Sequence, residues 1–223
     1  MEIKKLKFET GTHDTVLLDR KLLLDGIKDQ LIYIRIPRTA STSISKMLRG
    51  EKPAWPHFYA SLVRDLIGKE EYESTFTFTS VRNPWDRMVS WYLFYCNDFR
   101  ACPDQAKTYK ELGFKGWIMN GCPHLHTSPH HFAHWPEDPI SQMNWIIDES
   151  GKIIVDHIVK LETAQKDFES IREKLGLKRL ILPKINTSAK RQHKDYRKYY
   201  DWETKEKVRE MYNDDIRYFR YEF

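Results

Sequence analysis

The chain has little glycine, and least where a nucleotide-binding protein would use it. Only nine of its 223 residues are glycine, and none falls between Gly26 and Gly50. That gap excludes the G-x-x-x-x-G-K-[ST] loop of nucleotide triphosphatases from the first strand–helix turn. Cysteine is scarce too: Cys96, Cys102 and Cys122 are odd in number and too few for a disulfide framework, which predicts a reduced, cytoplasmic protein. Long apolar runs are missing. Runs such as Leu22–Leu24 and Ile153–Val155 fall far short of a membrane span, and Met1–Lys7 is charged throughout, without the apolar core of a signal peptide. No repeat, low-complexity tract or linker divides the sequence, so residues 1–223 are expected to form one domain.

What is present suits a packed enzyme-sized domain. Hydrophobic residues at 40% and aromatics at 13% are enough for a single buried core. The net charge of +5 is mild, but it is unevenly placed. Between Lys178 and Tyr199, Lys178, Arg179, Lys184, Lys190, Arg191, Lys194, Arg197 and Lys198 face only Asp195, which leaves the rest of the chain slightly acidic. An anionic partner is therefore expected at this stretch, and a nucleic acid spread over the whole surface is not.

Strands and helices alternate along the sequence. Leu31–Ile36 is a short apolar run ending at Pro37, which suits a buried strand, and a helix is expected from the Thr39–Ser43 stretch through Leu48. Phe58–Ile67 reads as a helix closed by Gly68, and Thr75–Val81 alternates at period 2 as a second strand. Asn83 then caps a helix that has Pro84 at its first position and runs to about Cys96. Residues 97–140 read as irregular, rich in His, Pro and aromatics. A third strand over Ile153–Leu161, a helix over Thr163–Leu175 and a final amphipathic helix over Trp202–Tyr218 complete the pattern. The predicted class is α/β: three layers, with a mainly parallel central sheet and helices on both faces. Ligands of such sheets sit at the carboxyl ends of the strands, where the first two strand–helix turns fall.

Those two turns carry the candidate chemistry. In the first, Ile36–Ile44, small residues and four hydroxyls (Thr39, Ser41, Thr42, Ser43) lead into a helix N-terminus, with Arg38 as a fixed positive charge at the rim. Backbone N–H groups and the helix dipole favour an anion there. In the second, Val81–Ser90, Arg82 leaves its strand at the carboxyl end, and Arg87 and Ser90 share a helix face. An arginine at a strand exit and a serine on the following helix are suited to gripping a second phosphate.

Together the two turns resemble those of sulfotransferases that use 3′-phosphoadenylyl sulfate (PAPS). The closest likeness is to the carbohydrate sulfotransferase branch that includes heparan sulfate 2-O-sulfotransferase and bacterial relatives. Residues Pro37–Ser43 match that branch's Pro-Lys-Thr-Ala-Ser-Thr-Ser loop at all positions but Arg38, and Arg82, Pro84, Arg87 and Ser90 match its Arg-x-Pro-x-x-Arg-x-x-Ser motif. The likeness runs from about Leu31 to the C-terminus, including Asn186–Arg191, Tyr196–Tyr200 and Tyr218–Phe223. It implies a P-loop-like phosphosulfate turn formed by Pro37, Arg38, Thr39, Ala40, Ser41, Thr42 and Ser43. It implies a 3′-phosphate site of Arg82 and Ser90, closed by a late loop carrying Ser188, Lys190 and Arg191. It further implies no metal, a hydroxyl-bearing acceptor that is a carbohydrate, and a catalytic His57, which stands between the two motifs where bacterial relatives place their base. Arg38 replaces the family's loop lysine; it keeps the charge but is forked and bulkier.

Other features fit less closely. Cys122, His124, His126, His130, His131 and His134 cluster in sequence, but their spacing matches no standard zinc site. The segment 97–140 is expected instead to face the acceptor. Trp85, Trp91 and Tyr92 read as core residues beside the second motif. An ATP-dependent small-molecule phosphotransferase and a non-catalytic binder of sulfated glycan or nucleic acid are the competing functions. The missing Walker lysine–hydroxyl pair counts against the first.

Overall fold

The computed structural model describes residues 6–7, 17–18, 31–49, 57–97, 103–122, 141–175 and 191–223. Two short strands, β1 (Leu6–Lys7) and β2 (Leu17–Leu18), pair antiparallel. The sheet that organises the molecule follows: β3 (Leu31–Ile34), β4 (Phe76–Val81) and β5 (His157–Lys160), all parallel, with β4 in the centre. Its register pairs Ile32 with Thr77 and Thr79 with Ile158.

The central strand alternates apolar and hydroxyl side chains, yet both of its faces are buried. The hydroxyls tolerate this because each has a partner. Thr77 donates to Asp156 at 2.9 Å and Thr79 to the Ile34 carbonyl at 2.8 Å, while Ser80 donates to the Thr39 carbonyl at 3.1 Å. Thr79 and Ser80 thereby tie the strand to its neighbour's exit and to the first turn.

Helices cover both faces, as parallel connections require. On one face Tyr33, Phe78 and Val159 pack with Ile44 of α1 (Ser41–Arg49) and with Phe168 and Ile171 of α6 (Ala164–Leu175). Tyr33 stacks on Phe78 with centroids 4.7 Å apart, and Phe168 meets Phe78 edge-on. On the other face Ile32, Ile34 and Val81 share a larger core with α2 (Ala60–Ile67), α4 (Pro84–Asn97), α5 (Pro103–Met119) and α7 (Trp202–Met211). The expected α/β class with helices on both faces is what the sheet and its cores show.

Several boundaries differ from the sequence reading, each for a local reason. The second helix starts at Ala60, after an extended Tyr59, and leaves His57 and Phe58 outside it, and a short α3 (Lys69–Ser74) follows Gly68, whose φ of 101° breaks the chain direction. Part of the segment read as irregular is the 17-residue α5, kinked at Gly113 (φ 67°). The kink shifts its buried stripe: Tyr109 is followed by Phe114, Trp117 and Ile118, so no unbroken 3.6-residue period exists to be read. The third strand is confined to His157–Lys160, because Ile153 pairs instead with Ile147 in an isolated bridge. The final helix is two, α7 and α8 (Asn213–Phe219), parted at Tyr212. Among the described residues no helix is long and apolar enough to cross a membrane.

The start of α7 allows one check on the packing of α5. Asp201 caps the helix by accepting from the Thr204 amide at 2.9 Å and hydroxyl at 2.8 Å, and it also holds Lys115 of α5 at 2.7 Å. Those partners, Lys115 first, hold its carboxyl well below the ordinary carboxylate range. Asp201→Ala is expected to cost about 1 kcal/mol at neutral pH. A lowered folded-state pKa means this contribution is present above the unfolded value and lost as pH falls through the folded one. The difference in melting temperature from wild type should therefore shrink below about pH 4.

Candidate active site

The first turn bends without glycine. Residues 37–40 form it, and both Arg38 (φ 66°) and Ala40 (φ 61°) adopt left-handed conformations that glycine would take without strain. Such residues cost on the order of 1–3 kcal/mol each and persist only where their surroundings hold them. Here the surroundings are explicit. Thr39 is fully buried, and its hydroxyl donates to the Ile36 carbonyl at 2.9 Å and meets Ser80 at 3.0 Å. The Pro37 carbonyl accepts from Arg87 Nε at 3.0 Å, and Arg87 too is fully buried. Arg87 thus braces the loop from beneath, a role its place in the motif does not reveal.

Ala40 hands the chain to α1. Its carbonyl accepts the first helical bond, from Ile44 at 3.1 Å, so the amides of Ser41, Thr42 and Ser43 begin the helix without intrahelical partners. No acidic residue occupies that first turn. Thr42 is exposed, Ser43 half-buried and Ser41 buried. The loop can therefore present main-chain donors and hydroxyls to an anion, with Thr39 committed to the turn itself.

Arg38 does not extend into solvent. Its Nε and Nη2 donate to Ser90 Oγ at 3.2 and 3.1 Å, and its guanidinium lies 4.5 Å from the Phe94 ring centre and 5.9 Å from that of Trp91. A lysine could give Ser90 a proton but could not fork onto it while stacking on a ring. Arg38 of the first motif and Ser90 of the second are thereby in direct contact.

Arg82 joins the turns a second time. Its Nη1 donates to the Arg38 carbonyl at 3.2 Å, while Nε and Nη2 grip Asp86 at 2.8 and 2.7 Å. Arg191, from the late basic run, donates to the other oxygen of Asp86 at 2.6 Å. The backbone of Arg82 is clamped by Gln142, which accepts from its amide at 2.9 Å and donates to its carbonyl at 3.0 Å. Gln142 is held in turn by buried Asp215, whose oxygens accept from the Gln142 amide and side chain, the Met143 amide and the Ser141 hydroxyl. Burial pushes the Asp215 carboxyl up, while these donors and the Arg87 charge pull it back down. Asn83 caps α4 as expected, and its amide N–H donates to Glu162 at 2.6 Å.

His57 stands at the carboxyl end of β3. Its Nδ1 lies 2.7 Å from the Arg35 carbonyl, and its ring meets Trp145 edge-on. The structure thus brings His57, the 37–43 turn, Arg82, Ser90 and Arg191 to one edge of the sheet. Trp85 and Trp91 are buried, 2% and 4% exposed, which is core packing, and Tyr92 is half-buried beside them. Ser188, Lys190, Cys102 and the histidines of 124–134 lie outside the described residues. Among those described, no group of three or more His, Cys, Asp or Glu side chains could hold a metal ion. Cys122 is fully buried, and burial pushes its thiol up.

Sequence reasoning missed Asp86, Gln142, Glu162 and Asp215. Asp86 had a signal, its four-residue spacing from Arg82 on a helix start. Gln142 and Asp215 had none, because each acts across the fold.

An uncharacterized protein of Archaeoglobus fulgidus is 27% identical over 139 residues, 61% of this chain and 92% of that one. The structure of mouse sulfotransferase SULT7A1 complexed with PAP aligns at 13% identity and a TM-score of 0.47, covering 92% of this chain and 94% of the mouse chain. The model of the sulfotransferase family matches residues 25–222, nearly the whole sequence and both turns, and the chain belongs to that family.

Proposed function

We propose that the protein moves the sulfuryl group of PAPS onto a carbohydrate hydroxyl, with His57 as general base. The sulfotransferase family match over residues 25–222, which spans both turns, carries the sulfuryl transfer, and the 2.7 Å contact from His57 Nδ1 to the Arg35 carbonyl supports the choice of base. A carbonyl only accepts, so Nδ1 holds the proton of that bond and the neutral ring keeps its lone pair on Nε2. Arg35 leads into the 37–43 turn, so the ring is anchored to the backbone three residues before Arg38.

PAPS is the donor substrate, and the residues present suit it. Pro37, Arg38, Thr39, Ala40, Ser41, Thr42 and Ser43 form the phosphosulfate turn, with main-chain amides and the hydroxyls of Ser41, Thr42 and Ser43 as donors. Arg82, Ser90 and Arg191 take the 3′-phosphate, together with Ser188 and Lys190. His57 Nε2 accepts the acceptor's hydroxyl proton as that oxygen attacks sulfur. The bond from sulfur to the bridging oxygen breaks, and its electron pair leaves with 3′,5′-diphosphoadenosine. Arg38 supplies positive charge to the departing oxygen. Side-chain cations do the neutralising, so the reading calls for no metal. A reduced, cytoplasmic setting belongs to the same proposal, and Cys96 and Cys122 are free and buried.

Thermal shift with 3′,5′-diphosphoadenosine and with ATP–Mg²⁺ separates the candidate functions. The diphosphate at about a hundred times its Kd should stabilise by about 2.7 kcal/mol, and ATP–Mg²⁺ should not. Transfer of labelled sulfate to a glycan panel then identifies the acceptor. Stabilisation by ATP–Mg²⁺ alone would point to a phosphotransferase. Salt-sensitive glycan binding without turnover would point to a polyanion binder.

A further inference from the structure

Among the described residues, Asp86 is the one that touches both arginines proposed for the 3′-phosphate. Its Oδ2 accepts from Arg82 Nε and Nη2 at 2.8 and 2.7 Å, and its Oδ1 accepts from Arg191 Nη2 at 2.6 Å. The three side chains are 14%, 20% and 10% exposed, so the pairs are largely shielded from water. Each arginine has a further anchor. Arg82 donates to the Arg38 carbonyl, and Arg191 Nε donates to the His193 carbonyl at 2.7 Å.

This arrangement needs explaining on charge grounds. Two guanidinium groups converging on one point repel each other in a site of low dielectric, and a carboxylate between them cancels that repulsion. The carboxylate also sits in the first turn of α4, where a helix N-terminus favours negative charge. A phosphate recognised by these arginines would meet their remaining N–H groups, whose separation the bridging carboxylate already fixes.

We propose that Asp86 is a positioning residue: it holds Arg82 and Arg191 at the spacing a phosphate requires, and so couples the late basic segment to the second turn. The idea rests on the PAPS reading above. Its cost is repulsion between the carboxylate and an incoming phosphate, and its gain is a preformed pair of arginines that need not be ordered on binding. The gain outweighs the cost because Arg191 comes from far along the chain and makes its only described side-chain ion pair with Asp86.

The test compares wild type with Asp86→Asn, Asp86→Glu, Arg191→Ala and the double variant Asp86→Asn/Arg191→Ala. Binding of 3′,5′-diphosphoadenosine and of adenosine 5′-monophosphate, which lacks the 3′-phosphate, is measured by calorimetry, and circular dichroism checks folding. Asp86→Asn should weaken the diphosphate about tenfold and leave the monophosphate within about twofold. Asp86→Glu should recover most of the loss. In the Arg191→Ala background, Asp86→Asn should cost less than about twofold. Equal weakening of both ligands, tighter binding of the diphosphate, or the same loss in both backgrounds would overturn the positioning role alone. A wild-type chain that binds no 3′,5′-diphosphoadenosine would overturn the PAPS reading and this proposal with it.

Discussion

Replacing His57 by alanine should lower kcat for sulfuryl transfer by about 10²–10⁴-fold while binding of 3′,5′-diphosphoadenosine stays within about twofold. The split follows from where the ring sits. His57 hydrogen-bonds to the backbone of Arg35 and packs against Trp145, and it belongs to neither turn proposed to hold the donor. Loss of the imidazole therefore removes proton acceptance without removing a phosphate contact. His57→Asn sharpens the test, since its amide can still donate to the Arg35 carbonyl but cannot accept a proton at neutral pH. Both variants should be equally slow if the proton is the issue. If alanine is slow and asparagine near wild type, the ring acts only as a prop for the turn. Turnover within about threefold of wild type in both would move the base elsewhere. Asp65 is a poor substitute, being exposed and paired with Arg64 at 3.3 Å.

The two turns were legible because their chemistry is local. A strand exit, small hydroxyl residues and a helix start lie within nine positions, and so do Arg82, Asn83, Pro84, Arg87 and Ser90. Backbone geometry alone then aims their groups at one edge of a parallel sheet. Side-chain roles within the motifs were harder to read. Thr39 looks like a donor for a ligand, yet its hydroxyl holds the turn closed. Arg87 looks like a partner for Ser90, yet it points beneath the loop to Pro37. The left-handed Arg38 and Ala40 could not be foreseen, because neither residue type marks such a conformation. Nor could Asp215 and Gln142, whose pairing joins the start of α8 to the exit of β4. A sequence lists neighbours along the chain, and these residues act on neighbours across it. The same limit hid α5, where Gly113 shifts the apolar stripe midway.

The brace beneath the loop gives the largest expected effect on stability. Arg87→Met should cost about 3–5 kcal/mol, lowering the melting temperature by on the order of 10 °C. Methionine fills much of the space but strands two groups. The Pro37 carbonyl loses the donor 3.0 Å away, and the buried Asp215 carboxylate loses the positive charge that favours its ionised form. The contact with Tyr212, whose hydroxyl is 3.5 Å from Nη1, is lost as well. Acid should partly restore the variant, and the sign can be worked out. Burial already raises Asp215 above its ordinary value, so its protonated form favours the fold at low pH and that benefit is lost as pH rises through the folded-state pKa. Without Arg87 the upward shift grows. The gap between variant and wild type should then narrow as pH drops through that raised value, measured by calorimetric melting across pH. A gap that stays constant would place the cost on the Pro37 carbonyl and the turn alone. A loss under about 1 kcal/mol would mean that Arg87 braces nothing, and that Arg38 and Ala40 hold their left-handed geometry by other contacts.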